Sequence, residues 1–392
     1  MPKRSHNTSK DTERAVLVAV ERKGKPFDQD LKELQELVHT AGAETVGIIS
    51  QKRDNPSPST YLGTGKLQEV KEAVIAQHAD VVIVDDELTP VQQRNLGEVL
   101  EVRVLDRTQL ILDIFAQRAR TSEGKLQVEL AQLKYLLPRL SSLYTKFERQ
   151  QGGIGLRGPG ETKLEADRRR VRQRIADLTR ELEQVRRHRK VQRANRSRQG
   201  FPTASLVGYT SAGKSTLLNA LAGADIYADP KLFATLDPTT RRATLPSGKP
   251  ILITDTVGFI RRLPHHLVAA FRATLEETVE ADILLHVVDA SSPEMEEQME
   301  AVIDVLTDLH IQDKPIVTVL NKIDLVTDTY RLREMVANHP DTVYVSALTG
   351  DGLKQLMITV ERVLAHAERR KRQEAEEARQ RELEQRRALR TL

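Results

Sequence analysis

The chain is 392 residues long, enough for two or three domains with cores of their own. It has no cysteine, which excludes disulfides and thiolate zinc sites and suits a reducing cytosol; the absence of tryptophan and scarcity of aromatics argue against base stacking as a main binding mode. No apolar run approaches the ~18 residues needed to cross a bilayer, and Met1 to Lys10 lacks the apolar centre of a secretion signal, so a cytoplasmic protein without a membrane span is expected.

Residues 1–118 read as an α/β domain. Ala15 to Val20 is a buried-strand run, Asp28 to Thr40 places Leu31, Leu34, Leu37 and Val38 at helical spacing, and Thr45 to Ser50 is a second strand. A helix over Gly65 to Gln77, a strand over Val81 to Val84, another helix and a strand over Val102 to Leu105 follow, and such alternation implies a parallel sheet. Gly63-Thr64-Gly65-Lys66 reads either as a second phosphate loop or as a glycine turn with a solvated lysine. Asp85 and Asp86, at a strand end, read as metal ligands or as ordinary loop carboxylates.

Residues 119–199 carry a heptad seam. Leu126, Leu130, Leu133, Leu137, Leu140, Tyr144 and Phe147 alternate four and three apart, and the pattern resumes at Leu164, Val171, Ile175, Leu178, Leu182 and Val185. An antiparallel α-helical hairpin with facing seams is predicted, kinked at Pro138, with a homodimeric coiled coil as the rival. The join, Gln151 to Lys163, has five glycines between Gly152 and Gly160, a density that suggests a fingertip fitting closely against another surface. From Lys163 to Arg198 there are 14 Lys/Arg against 5 Asp/Glu, a local excess of +9 in a chain whose total is +4. Phosphate backbone is the natural partner for arginine spaced along a rod, and RNA shape recognition fits better than an anionic membrane because the opposite face is a packed seam. Gly155, Arg157, Lys163, Arg168, Arg169, Arg170 and Arg172 are the candidate RNA contacts.

Residues 200–366 contain four stretches that fall in the order a guanine-nucleotide domain requires. An apolar strand enters Gly208-Tyr209-Thr210-Ser211-Ala212-Gly213-Lys214-Ser215-Thr216, and a helix leaves it. In this G-x-x-x-x-G-K-S pattern backbone amides and a helix N-terminus cradle phosphates, Lys214 reaches the β- and γ-phosphates, and the Ser215 hydroxyl binds Mg²⁺. Asp255-Thr256-Val257-Gly258 closes a second strand, with Asp255 holding Mg²⁺ through water and the Gly258 amide sensing the γ-phosphate. Asn321-Lys322-Ile323-Asp324 supplies a carboxylate for guanine N1–H and N2–H₂, a lysine stem for the base and an asparagine to tie this loop to the phosphate loop. Adenine would leave the carboxylate unpaired. Amides of Ser346-Ala347-Leu348 are expected at guanine O6. Between the first two stretches lies a switch, Leu232 to Thr240, that includes Phe233, Ala234, Leu236 and Asp237. Thr235 is the candidate to close over Mg²⁺, with Thr239 and Thr240 as rivals. Phe259 stands where many small GTPases place a glutamine that orients the attacking water, so intrinsic hydrolysis is expected to be slow without a partner. A switch helix over Arg261 to Glu280 and a helix over Leu353 to Ala365 are predicted. His265 and His266 are taken as surface histidines, and residues 367–392 as a mixed-charge helical tail.

With Gly152 to Glu165, Val207-Gly208-Tyr209-Thr210 and Phe233 to Thr239 in place, the chain resembles the HflX family of bacterial translational GTPases across nearly its whole length. The resemblance implies an α/β protein: a P-loop GTPase domain preceded by an N-terminal α/β domain and a helical hairpin, with a C-terminal helical tail. It also implies a cytoplasmic GTPase that uses GTP/GDP and Mg²⁺, binds the large (50S) ribosomal subunit and can separate ribosomal subunits. Thr235 is then the Mg²⁺-contacting switch residue and Phe259 a family trait, and weak ATP hydrolysis by the N-terminal half is a further implication. Ser211 departs from the asparagine that related phosphate loops often carry and that can support a potassium ion, which puts potassium-stimulated hydrolysis in doubt. The catalytic candidates are thus Lys214, Thr235 and Gly258. A monomer is expected whose nucleotide state sets the angle between the GTPase domain and the helical finger and whose GTP form docks on ribosomal RNA, with a ribosome-assembly or RNA-modification GTPase as the alternative.

Overall fold

The structure, a computed structural model, describes residues 12–24, 26–140, 159–198, 200–223, 232–262, 264, 275–311, 313–327 and 339–388. The chain forms two compact units that divide near residue 186.

In the first unit, β1 (Glu13–Glu21), α1 (Phe27–Ala41), β2 (Ala43–Lys52), α2 (Thr64–Ala76), β3 (Val81–Val84), α3 (Pro90–Leu100), β4 (Arg103–Asp106) and α4 (Arg107–Arg118) alternate as their periodicities require. The strands lie parallel in the order β2-β1-β3-β4. Val81 to Val84 are buried on both faces, and Val16, Val18, Leu67, Val70, Val82, Val84, Leu96 and Leu100 share one core. Local chemistry sets the helix ends. Gly42 closes α1 in the left-handed region (φ +91°), and Thr89 with Gln92 forms a capping box at the start of α3, where Pro90 takes the first turn.

Helix α5 (Ser122–Leu136) starts on a Thr121 cap and packs against α6 (Pro159–Arg198) through Leu126, Leu130, Leu133, Ile175, Leu178 and Leu182. These are seam positions. At Pro138, where a kink is expected, α5 ends at Leu136 and gives way to a 3₁₀ turn, Leu137–Arg139, that carries the proline in its first turn; residues 141–158 lie outside the described residues. Tyr144, Phe147, Gly155 and Arg157, and with them the glycine-rich tip, lie outside the described residues.

The second unit is a six-stranded sheet in the order β10-β9-β8-β5-β7-β6. It is built from β5 (Thr203–Gly208), α7 (Lys214–Ala222), β6 (Thr239–Thr244), β7 (Pro250–Asp255), α8 (Glu276–Glu280), β8 (Ile283–Asp289), α9 (Met295–Asp308), β9 (Ile316–Asn321), β10 (Thr342–Tyr344) and α10 (Leu353–Ala388). All neighbouring strands are parallel except β6, which runs antiparallel to β7. Among the described residues of the predicted switch helix, Glu276–Glu280 is helix and Arg261 and Arg262 form a turn; residues 265–274, with His265 and His266, lie outside the described residues. The tail is not separate from the last predicted helix: α10 runs unbroken from Leu353 to Ala388, with Leu356, Val360, Val363 and Leu364 buried in the sheet's core. Parallel topology delivers the carboxyl ends of β5, β7, β8 and β9 to one edge, where the motif loops meet.

Candidate functional site

The phosphate loop connects β5, flanked by β7 and β8, to α7. Gly213 holds φ +91°, and a Cβ there would sit 2.4 Å from Asn321 Nδ2, so both conformation and space exclude a side chain. Lys214 is buried and donates to the carbonyls of Gly208 (3.1 Å) and Tyr209 (2.8 Å), which leaves one of its three protons for a ligand. Burial pulls its ammonium down to about 8, against the opposing pull of the Asp255 carboxylate. Ser211 is left-handed (φ +62°), and Thr216 lies in the first turn of α7.

Three oxygens gather beside Lys214. Ser215 Oγ donates to Asp255 Oδ2 at 2.6 Å, Thr235 Oγ1 donates to the same oxygen at 2.8 Å, and the two hydroxyls lie 2.9 Å apart. Asp255 Oδ1 is buried without a hydrogen-bond partner. Hard oxygens, one carboxylate and an orphaned acceptor fit a Mg²⁺ that keeps waters and takes phosphate oxygens. Among the described residues there is no cluster of three or more His, Cys, Asp or Glu that could hold another metal. Of the three candidate threonines, Thr235 is the one at this site: Thr239 opens β6, and Thr240 Oγ1 pairs with Thr254 Oγ1 at 2.9 Å inside the sheet.

Leu232, Phe233 and Leu236 are buried and Ala234 and Asp237 half-buried, so the switch stretch is anchored by apolar side chains on either side of Thr235. Thr256 is buried and donates to the Leu206 carbonyl at 2.6 Å, and Val257 is buried beside it. The next residues are zipped onto the phosphate loop. Phe259 N–H donates to the Gly208 carbonyl (3.1 Å), Thr210 N–H donates to the Phe259 carbonyl (2.7 Å), and Arg261 N–H donates to the Tyr209 hydroxyl (2.9 Å). Phe259 and Ile260 are buried, and the Arg261 guanidinium pairs with Glu294 at 3.2 Å.

The base-reading loops meet through Asn321, whose Nδ2 donates to the Ala212 carbonyl (2.9 Å) and whose Oδ1 accepts from Ala347 N–H (3.0 Å). Lys322 is left-handed (φ +63°), and its ammonium is held by Asp289 at 2.5 Å, which orients the stem. Asp324 Oδ1 accepts from the Ser346 hydroxyl at 2.6 Å. Of the amides of Ser346-Ala347-Leu348 expected near guanine O6, two are bonded within the protein. Ser346 N–H is taken by the Asp351 carbonyl (3.0 Å) and Ala347 N–H by Asn321, which leaves the amide of Leu348, a residue 80% exposed. Asp289 and the Tyr209 hydroxyl were not anticipated. Asp289 closes β8 beside Asn321 of β9, a register that sequence spacing alone does not disclose.

On α6, the arginines divide into two sets. Arg174 is held by both oxygens of Glu129 on α5 (2.7 and 2.9 Å), Arg170 pairs with Asp167 (3.3 Å) and Arg180 with Asp177. Arg168, Arg169 and Arg172 pair with no described residue and, with Glu165 and Gln173, line a shallow concavity of about 550 Å³; Lys163 is exposed near them. In the α/β unit, Gly63 and Gly65 form the start of α2 and Lys66 pairs with Glu69 (2.7 Å). Asp85 pairs with Arg107 (2.8 Å), and Asp86 takes Arg22 (2.7 Å) and the Tyr61 hydroxyl (2.8 Å), which answers both carboxylates with ion pairs.

A phosphate cradle, a Mg²⁺-type oxygen set and an acidic guanine reader on one sheet edge define a GTPase of the phosphate-loop class. Family models match along the chain: "GTP-binding GTPase N-terminal" over residues 28–116, "GTP-binding GTPase Middle Region" over 118–196 and "50S ribosome-binding GTPase" over 203–322. A GTPase HflX of Caldanaerobacter subterraneus subsp. tengcongensis is 53% identical over 357 residues, spanning 91% of this chain and 82% of the relative. That of Escherichia coli K12 is 51% identical over 345 residues, spanning 88% and 81%. The chain belongs to the HflX GTPase family. The crystal structure of the SsGBP and GDP complex superposes with a TM-score of 0.52 at 26% identity, covering 91% of this chain and 99% of that one. No helix among the described residues is long and apolar enough to cross a membrane.

Proposed function

We propose that this GTPase is a cytoplasmic factor, monomeric in solution, that grips the large ribosomal subunit through rRNA when GTP is bound and separates or rescues ribosomes before hydrolysis releases it. The uncommitted arginine face, Arg168, Arg169 and Arg172, is the observation that carries this reading. Guanidinium groups that pair with no described carboxylate are suited to phosphate oxygens, and the matched 50S ribosome-binding model supports the same partner. Residues 152–160 stand at the head of this helix in the sequence and would probe the ribosomal surface.

Within the nucleotide site, the free proton of Lys214 and the amide of Gly258 would read the γ-phosphate, and Asp324 would accept from guanine N1–H and N2–H₂ while the Lys322 stem covers the base. Ser215 and Thr235 would hold Mg²⁺ directly and Asp255 through water; the bound ion neutralises charge on the β- and γ-phosphates. Phe259 offers nothing to an attacking water: its side chain is apolar and buried, and both its backbone groups are taken by the phosphate loop. Low intrinsic turnover, raised by the ribosome, follows from that arrangement. The test is GTP hydrolysis with and without purified large subunits, together with co-sedimentation on mature and precursor subunits. No stimulation would overturn the reading, and binding confined to precursors would favour a role in assembly.

A further inference from the structure

Among the described residues of the second unit, two buried side-chain atoms lack a hydrogen-bond partner: Asp255 Oδ1 and Thr210 Oγ1. Mg²⁺ held there through water would account for the carboxylate. Nothing in the phosphate-loop pattern accounts for the hydroxyl, because that pattern uses only backbone at the third position of the loop. Thr210 is 6% exposed, and an unpartnered hydroxyl at such a site destabilises the empty protein unless a ligand completes it.

Its neighbours identify the ligand. A Cβ built on Gly258 would lie 2.8 Å from Thr210 Cγ2, 2.9 Å from Thr210 Cα and 3.0 Å from Lys214 Nζ. The Thr210 methyl, Gly258 and the lysine ammonium therefore surround one point, and the Thr210 hydroxyl branches from the same Cβ as that methyl. The Thr210 backbone cannot drift from it, since its N–H is bonded to the Phe259 carbonyl at 2.7 Å. Phe259, at the position where a glutamine would orient water, is fully buried.

We propose that the Thr210 hydroxyl contacts the terminal phosphate of GTP and the water that attacks it, taking the place that Phe259 leaves vacant. In the reaction the water oxygen bonds to the γ-phosphorus while the bond from that phosphorus to the β–γ bridging oxygen breaks. The electron pair leaves with GDP, and the water's proton ends on a γ-phosphate oxygen. Thr210 accepts a hydrogen bond from the water, donates one to a γ-oxygen, and is unchanged at the end. A hydroxyl has one donor and two acceptor sites, enough for both.

This rests on the GTP reading of the site, and the experiment separates the two. Thr210→Val and Thr210→Ser are compared with the wild type by single-turnover GTP hydrolysis with and without large subunits, GDP affinity, capture of GDP–fluoroaluminate, and the melting temperature of the nucleotide-free chain. Loss of a hydrogen bond to a charged reacting group predicts hydrolysis slowed about 10- to 100-fold in Thr210→Val, with fluoroaluminate capture lost. GDP affinity should be unchanged and melting unchanged or higher, because a methyl replaces an unpartnered hydroxyl. Thr210→Ser, which keeps the oxygen, should recover most of the rate. Wild-type turnover in Thr210→Val overturns the proposal alone, as does a valine variant that melts earlier and loses GDP and GTP affinity equally. A wild-type chain that binds GDP yet turns over no GTP even with large subunits overturns the reading of the site and the proposal with it.

Discussion

Replacing Gly258 by alanine should separate GTP from GDP. The residue is not in the left-handed region, so conformational freedom is not what its glycine supplies; room is. The added methyl would stand 2.8 Å from Thr210 Cγ2, 2.9 Å from Thr210 Cα and 3.0 Å from Lys214 Nζ, all inside ordinary carbon contact. The lysine tip can move, but Thr210 Cα is backbone pinned to Phe259, so Gly258 itself must retreat by several tenths of an ångström. Overpacking of this kind costs about 1–3 kcal/mol, which is roughly a 5- to 150-fold change in affinity for whatever state needs Gly258 against the phosphate. On the proposed reading of the site, that state is the triphosphate one. Titration with fluorescent GDP and a non-hydrolysable GTP analogue should show the analogue weakened across that range and GDP far less. Adding Thr210→Ser removes the nearest clashing atom and should recover part of the loss. Equal weakening of both nucleotides, or of neither, would refute the steric argument.

Other substitutions test other parts of the account. Asp324→Asn removes the charged acceptor for two guanine donors, each worth about 1.5–3 kcal/mol, so GTP affinity should fall by about 100-fold or more and recover with XTP, as read by competition binding. His286 is buried on β8 and burial, with Lys214 nearby, lowers its pKa from the ordinary 6.5 to about 4. The folded state therefore binds fewer protons than the unfolded one between those values, and stability is full above pH 6.5 and lost as pH falls toward 4. At about 1.4 kcal/mol per unit the loss from pH 7 to 5 is roughly 2 kcal/mol, and urea midpoints of His286→Leu should lack that share. Substituting Arg168, Arg169 or Arg172 with alanine should each lower the slope of log K against log salt for large-subunit binding by about 0.7 to 0.9. Arg174→Ala, which breaks the pair with Glu129, should leave that slope unchanged and loosen the α5–α6 packing instead.

Most of the nucleotide site was legible because its chemistry lies in contiguous runs: Gly208 to Thr216, Asp255 to Gly258 and Asn321 to Asp324 each follow a buried strand. Parallel strands then bring the three loops to one edge without further information. What sequence left open depends on register and packing between distant segments. Thr235, Thr239 and Thr240 are alike as residues, and only the anchoring of Phe233 and Leu236 on one side and the β6–β7 pairing on the other separates them. Lys322 meets Asp289 because β8 and β9 are neighbours in register. Arg174 belongs to the arginine run by spacing but to Glu129 by packing, so a count of charges does not give the number of uncommitted arginines. The pairing of the Ser346 and Ala347 amides within the protein was hidden for the same reason. At Pro138 the interruption that the ring imposes takes the form of a 3₁₀ turn, a local choice that spacing does not disclose.

The coupling of nucleotide state to ribosomal grip is tested most directly by pelleting the purified protein with large subunits while empty, with GDP and with a non-hydrolysable GTP analogue, over a series of salt concentrations. The expected result is retention with the triphosphate analogue, release with GDP, and weakening as salt rises. Equal retention in all three states would contradict it.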